Sequence, residues 1–332
     1  MGALTEIVER QAREAWSALQ PALGEPERID LLKGRKERKT VCRLVGAGPS
    51  RTDVIAKRYR LSSGRIERAI YDDVLPRLPL PSLRCYGLAE EANGTRCWLF
   101  LEDAAGEPYS IALEEHRRLA GHWLGFLHTS VPGAPTAPLS DHGPSHYLER
   151  LRTTRAVIVA SRANPAIGAS HTKTLNAIDR QLDVLEERWE LVEQRCAAMP
   201  RTVVHGDFVP KNLHVRSNAC APALLCFDWA CGGWGSPAVD LAQAPSSSDR
   251  FSASPDLAAY WSVVRDHWPT YSLRSIEEWA NIGSMFRALA SMCWASRSLA
   301  SEWVDEPITE MRVAQSLIGR AVRTARWWVC RS

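Results

Sequence analysis

The residues with the most chemical content stand together at Val203-Val204-His205-Gly206-Asp207-Phe208-Val209-Pro210-Lys211-Asn212-Leu213. An apolar run leads into His-x-Asp, four further residues and then Asn, so a polar loop sits between two segments that read as strands. Farther on, Leu224-Leu225-Cys226-Phe227 is another apolar run, and it delivers Asp228-Trp229. Asn212 and Asp228 are hard oxygen donors that can converge on one divalent cation. Phosphoryl transfer asks for this kind of equipment: in-line positioning, Mg2+ across the phosphate oxygens and a carboxylate turned toward the incoming hydroxyl. Asp207 is the candidate for that carboxylate, Asn212 and Asp228 for the metal ligands, and His205 for a brace of the loop.

Such chemistry also needs a cation for the α- and β-phosphates, held by an acid on a nearby helix. Val54-Ile55-Ala56-Lys57 ends a β-like run in lysine, much as the strand-borne Val-Ala-Ile-Lys of protein kinases does. Glu67, close to the start of the following helical segment, is its expected partner. A lysine on an edge strand is commonly only a solvated charge, and it gains meaning here from the Asp207 and Asp228 segments that follow in the right order.

The elements that must position these groups can be read from periodicity. Residues 3–20 have helical spacing, followed by β-like runs at 29–32, 40–45 and 54–59, a helix from Ser62 to about Leu75, and strands at 83–88 and 97–101. From Ala112 onward the patterns are mainly helical, at 113–128, 146–160, 173–197 and from Pro255 to the end. One β-rich passage interrupts them, with runs at 202–204, 213–215 and 224–227. This order predicts an α+β, two-lobed chain: a small β-rich N-terminal lobe over 1–103 with a leading helix, and a larger helical lobe over 104–332.

Composition fits a soluble globular protein, with 45% hydrophobic and 24% charged residues. A net charge of +3 over 332 residues argues against a nucleic-acid partner. No stretch approaches the roughly 18 apolar residues of a membrane span, so a cytoplasmic protein is expected. Nine cysteines without Cys-x-x-Cys spacing read as reduced thiols rather than a disulfide or zinc framework.

Taken together, these segments resemble the aminoglycoside phosphotransferase and choline kinase superfamily over roughly Ile29 to Ala242. The most specific pieces are His205-Gly206-Asp207 with Asn212, and Asp228-Trp229 followed by Pro237-Ala238-Val239-Asp240-Leu241-Ala242. The resemblance implies a protein-kinase-like fold, Mg2+ as cofactor, ATP or GTP as phosphate donor and a small-molecule hydroxyl as acceptor. It also implies that Asp240 braces the active-site loops. Trp98 to Asp103, with Glu102, resembles the last small-lobe strand and the hinge whose backbone grips the base, and Leu124 to His128 resembles the family's helix ending in Leu-His.

This sequence departs from the pattern in the loop Lys33-Gly34-Arg35-Lys36-Glu37-Arg38-Lys39, which holds one glycine and five basic residues in place of a glycine-rich nest. Arg35 and Lys36 are candidates for phosphate contact, and a solvated hairpin is the other reading. Lys211 either reaches the γ-phosphate or points to solvent. No activation loop follows Asp228, which turns the acceptor toward small molecules such as an antibiotic or related natural product. A housekeeping kinase for choline, homoserine or a sugar is the alternative, with a catalytically inactive binding module behind it. Residues 241–300 hold five acids against five arginines, so no acidic wall for a polycation is evident, and the tryptophans beyond residue 240 suit either an acceptor pocket or helix packing. Oligomeric state stays open.

Overall fold

The computed structural model describes residues 2–34, 39–130, 133, 139–217, 221–244 and 251–324. Arg35 and Lys36, the two loop residues expected to touch phosphate, lie outside the described residues. In chain order the elements are α1 (Gly2–Leu19), β1 (Arg28–Lys33), β2 (Thr40–Val45), β3 (Val54–Arg60), α2 (Leu61–Ala69), β4 (Cys85–Glu90), β5 (Arg96–Glu102) and β6 (Glu107–Pro108). Next come α3 (Glu114–Ser130), β7 (Ser140–His142), α4 (Pro144–Ser161), α5 (Ala169–Glu187), α6 (Trp189–Ala197) and β8 (Thr202–Val204). The chain continues with β9 (Leu213–Ser217), β10 (Pro222–Cys226), β11 (Gly233–Gly235), α7 (Leu257–Val264), α8 (Leu273–Ser296) and α9 (Asp305–Thr324).

These elements fall into two compact units that are not contiguous in sequence. The first takes in the chain up to Tyr109 and returns to collect Lys211–Gly232, while the second holds Ser140–Pro210, most of 110–134 and everything from Gly233 onward.

In the first unit, β1 to β5 form an antiparallel sheet in the order β1-β2-β3-β5-β4. Alternation along β3 sends Val54 and Ala56 to one face, where they join Trp98, Phe100, Leu44 and Trp16 of α1 in a buried cluster. The other face receives Lys57 and Tyr59, and there α2 packs closely enough that a side chain at Gly64 would collide with Cys97. The helix expected over 62–75 is α-helical only to Ala69. It tightens and loosens through a π turn at Ile70–Val74 and a 3-10 turn at Leu75–Arg77, where Pro76 ends the hydrogen-bond ladder. A second small sheet, β10-β9-β6, belongs to the same unit.

The second unit is helical around α8, fifteen of whose residues are buried. Its short sheet β7-β11-β8 is mixed, with β11 parallel to β7 and antiparallel to β8. The single helix expected over 173–197 is two, broken at Arg188 (φ −113°, ψ 16°). Among the described residues no helix is long and apolar enough to cross a membrane.

Candidate active-site residues

The first unit assembles a charged cluster from three elements. Lys57 points off β3 into a buried position and donates to both carboxylate oxygens of Glu67 at 2.8 Å. The same ammonium donates to Asp228 Oδ1 at 2.8 Å. Glu67 is 0% exposed on α2 and also accepts from the Tyr59 hydroxyl at 2.6 Å. On the other side of Asp228, Lys39 donates to Oδ2 at 2.6 Å. Burial works against the charge of Lys57, but the two carboxylates outweigh it and hold its pKa well above the usual lysine range. At Asp228 burial is likewise outweighed by Lys57 and Lys39, so the carboxyl sits far below the usual carboxylate range and stays ionised. Asp228 adopts a left-handed backbone (φ 70°, ψ 55°), a conformation that Asp tolerates and that turns its side chain out of the strand direction.

Asn212 comes to the same hairpin end from the partner strand. β9 and β10 pair antiparallel with Leu213 opposite Cys226, and the ladder runs one step further, Phe227 N–H donating to Asn212 C=O at 3.1 Å. Asn212 is buried, immediately before β9, and Asp228 follows β10 by two residues. A neutral amide and an ionised carboxylate are hard oxygen donors that suit Mg2+, which is commonly held by one or two carboxylates and substrate phosphates. Among the described residues no group of three or more His, Cys, Asp or Glu could cage a metal without such help. Lys211, next to Asn212, is exposed.

The segment after β5 is tied to this hairpin. Arg216 of β9 donates from Nη2 to Glu102 Oε1 at 2.8 Å and to the Ala104 carbonyl at 2.7 Å. Glu102 Oε2 accepts from the Arg84 amide at 3.1 Å, so the Glu102 side chain ties β5 to the segment before β4. Gly106 (φ 70°) must be glycine, because a side chain there would strike the Val215 carbonyl across the β6–β9 pair. A cavity of about 700 Å3 opens beside this segment, lined by Thr52, Asp53, Tyr86, Glu102, Asp103 and Arg216 among others, with neither Lys57 nor Asp228 in its wall.

Asp207 lies in the second unit, on the loop that leaves β8. Asp240 shapes that loop from beneath: its Oδ2 accepts from the His205 amide at 2.6 Å and its Oδ1 from the Gly206 amide at 2.9 Å. His128, at the end of α3, approaches Asp240 Oδ2 at a long 3.5 Å and meets the Tyr260 hydroxyl at 3.0 Å. Burial raises the pKa of Asp240, but the His128 and His205 contacts outweigh it and leave the carboxyl below its ordinary value. His205 Nδ1 accepts from the Asp207 amide at 3.2 Å, so its ring braces the loop. Gly206 supplies the positive φ of 75° that the bend requires. Asp207 itself is 7% exposed, and its Oδ1 stands 3.0 Å from Nη2 of Arg287 on α8.

Within single units the fold thus brings together Lys57, Glu67 and Asp228, sets Asn212 on the same hairpin, and joins Asp207, His205 and Asp240. Two charged members of these clusters escaped the sequence reading. Lys39 was one of five basic residues in a run, distinguishable only as the one beside the first residue of β2. Arg287 carried a stronger signal, as the lone charge in the apolar stretch 285–290 of a helix.

A strand lysine, a helix glutamate and an aspartate after a hairpin, on a two-lobed α+β fold, are the arrangement of a kinase-like phosphotransferase. The chain belongs to the phosphotransferase enzyme family, whose sequence profile matches residues 37–273. No curated protein sequence matches it. Among solved structures it is similar to choline kinase from Cryptosporidium parvum Iowa II, with a TM-score of 0.64 at 12% identity over 97% of each chain. It is also similar to aminoglycoside 2′-phosphotransferase-IIIa in its GDP complex, with a TM-score of 0.61 at 11% identity over 93% of this chain and 98% of that one. Spectinomycin phosphotransferase in complex with ADP and spectinomycin gives a TM-score of 0.58 at 9% identity over 94% and 98%.

Proposed function

We propose that the chain works in the cytoplasm as a Mg2+-dependent kinase that moves the γ-phosphate of ATP or GTP to a hydroxyl of an antibiotic or related natural product. The observation that carries this reading is Lys57, fixed between Glu67 and Asp228 by hydrogen bonds of 2.8 Å. A lysine so held presents its charge at a set position, and phosphate oxygens are the natural ligand for it.

In this reading Lys57 binds the α- and β-phosphates, and the hinge after Glu102 meets the base. Asn212 and Asp228 would hold Mg2+, which would supply neutralising charge to the phosphates when bound. Asp207 orients the acceptor hydroxyl and takes its proton as the oxygen bonds to the γ-phosphorus and the bond to the β–γ bridging oxygen breaks. His205 and Asp240 keep the loop bearing Asp207 in shape. The likeness to a choline kinase favours a second reading, a housekeeping kinase for a metabolite alcohol. An inactive binding module is disfavoured by the presence of Lys57, Asp207, Asn212 and Asp228 together.

The test is nucleoside diphosphate release with and without Mg2+ across antibiotics, sugars and amino alcohols, run on the wild type and on Asp207→Ala. Acceptor-dependent release that vanishes in the variant while nucleotide affinity stays within about twofold is the expected result. Equal turnover by Asp207→Ala overturns the assignment.

A further inference from the structure

Arg287 comes from the middle of α8 and is 6% exposed. Its Nε donates to the Phe251 carbonyl at 3.1 Å and its Nη2 reaches Asp207 Oδ1 at 3.0 Å. The guanidinium carbon stands 5.2 Å from the ring centroid of Trp294. The hydrogen bond at Nε, the ion pair at Nη2 and the Trp294 ring restrict how the planar fork can turn. Nη1 alone is buried without a hydrogen-bond partner among the described residues. A buried charged donor left unpaired is costly, and it persists where a ligand completes it.

The placement is built into the helix. Gly283 lies one turn before Arg287 on the same face of α8. A side chain at Gly283 would run into the carbonyl of Ala238 in the turn that precedes Asp240. That close approach sets the helix against the turn and thereby carries the guanidinium to Asp207.

We propose that Arg287 is a specificity-determining residue for the acceptor, selecting a hydroxyl compound that is neutral or anionic around the reacting hydroxyl and bears an oxygen for Nη1. The inference rests on the reading of Asp207 as the group that orients the hydroxyl. A carboxylate alone at that position attracts amino sugars and amino alcohols. With Arg287 beside it the pair has no net charge, and an ammonium near the hydroxyl meets a fixed cation at short range. The balance of acids and arginines over 241–300 offers no compensating acidic wall.

Two measurements on the full chain decide the matter. The first is binding, followed by melting temperature and calorimetry, of malonate as an oxyanion probe and kanamycin as a polycation probe to wild type, Arg287→Gln and Arg287→Lys. Malonate should bind wild type at least tenfold more tightly than Arg287→Gln, and kanamycin should gain at least tenfold in the same variant. Malonate affinity that ignores the substitution overturns the proposal. The second is nucleoside diphosphate release by wild type with glycerate, glycerol, choline and kanamycin, where a kcat/KM for either cation above those of the other two also overturns it. If Arg287→Gln does not fold, Arg287→Lys supplies the comparison, since it keeps the charge but loses the fork, and a malonate affinity within twofold of wild type then counts against the proposal. Asp207→Asn separates this inference from the catalytic reading beneath it. Retained transfer in that variant ends the role of Asp207, while its malonate affinity, expected to be no weaker than that of wild type, still reports on Arg287.

Discussion

Lys39 and Lys57 divide the carboxylate of Asp228 between them, Lys39 on Oδ2 at 2.6 Å and Lys57 on Oδ1 at 2.8 Å. A divalent cation that binds Asp228 has to displace or share with one of them. Lys57 is anchored by Glu67 and buried, whereas the Lys39 side chain is one-third exposed and has no second carboxylate in reach among the described residues, so Lys39 is the one that yields. Lys39→Met should therefore bind free Mg2+ about tenfold more tightly than wild type, roughly 1.4 kcal/mol, as read from metal-dependent melting. A variant with unchanged Mg2+ affinity would show that Lys39 does not compete with the metal.

The Lys57–Glu67 pair makes a second prediction. Glu67 has no exposure to water, so Lys57→Met leaves a buried carboxylate with one cation fewer, at a cost of about 3–5 kcal/mol in urea unfolding. Lys57→Met with Glu67→Gln should recover much of that loss, because the buried charge leaves with its partner. Both variants should lose nucleotide binding, and a double variant as unstable as the single one would argue against the ion pair as the source.

Gly283→Ala tests the packing of α8. Its added methyl group has to push the helix away from the Ala238 carbonyl, and overpacking of this kind costs about 3 kcal/mol or more. Transfer activity should fall with it, since the same face of the helix carries Arg287. Normal stability in this variant would mean that the helix can shift without penalty.

His142 gives the fold a pH dependence with a definite sign. Burial, then the neighbouring His146 and Arg150, push its pKa down to about 4, although Asp240 and Asp141 pull the other way. A histidine whose folded value lies below its unfolded one, near 6.5, binds its proton more readily in the unfolded chain. Stability is then whole above about pH 6.5 and falls as the pH drops toward 4, by about 3 kcal/mol from this residue. His142→Phe, which keeps the ring stacked on His146, should flatten the unfolding free energy across that window, and an unaltered slope would place the proton uptake elsewhere.

The five strands of the first sheet were legible because each runs for six or seven residues between turn residues, with apolar alternation as in β2 or an unbroken apolar run as in β5. β6, β7 and β11 have only two or three residues, too few for any period to register, and they exist because neighbouring strands offer unpaired backbone. The break at Arg188 has no glycine or proline to announce it. The meeting of Lys57 with Glu67 was readable from a familiar strand-to-helix spacing, and Asp207, Asn212 and Asp228 from the polarity of their loops. Arg287 and Lys39 reach their carboxylates from 80 and 189 residues away, a relation that only tertiary packing creates.

The backbone bond between Phe227 and Asn212 has a practical corollary. The separation of Asn212 from Asp228 is dictated by the rungs between β9 and β10, independent of how much chain joins the far ends of those strands. Peptide tags or reporter epitopes spliced in between Ser217 and Pro222 should therefore be carried without disturbing either oxygen donor, which makes that position in the chain a natural port for labelling the enzyme at work.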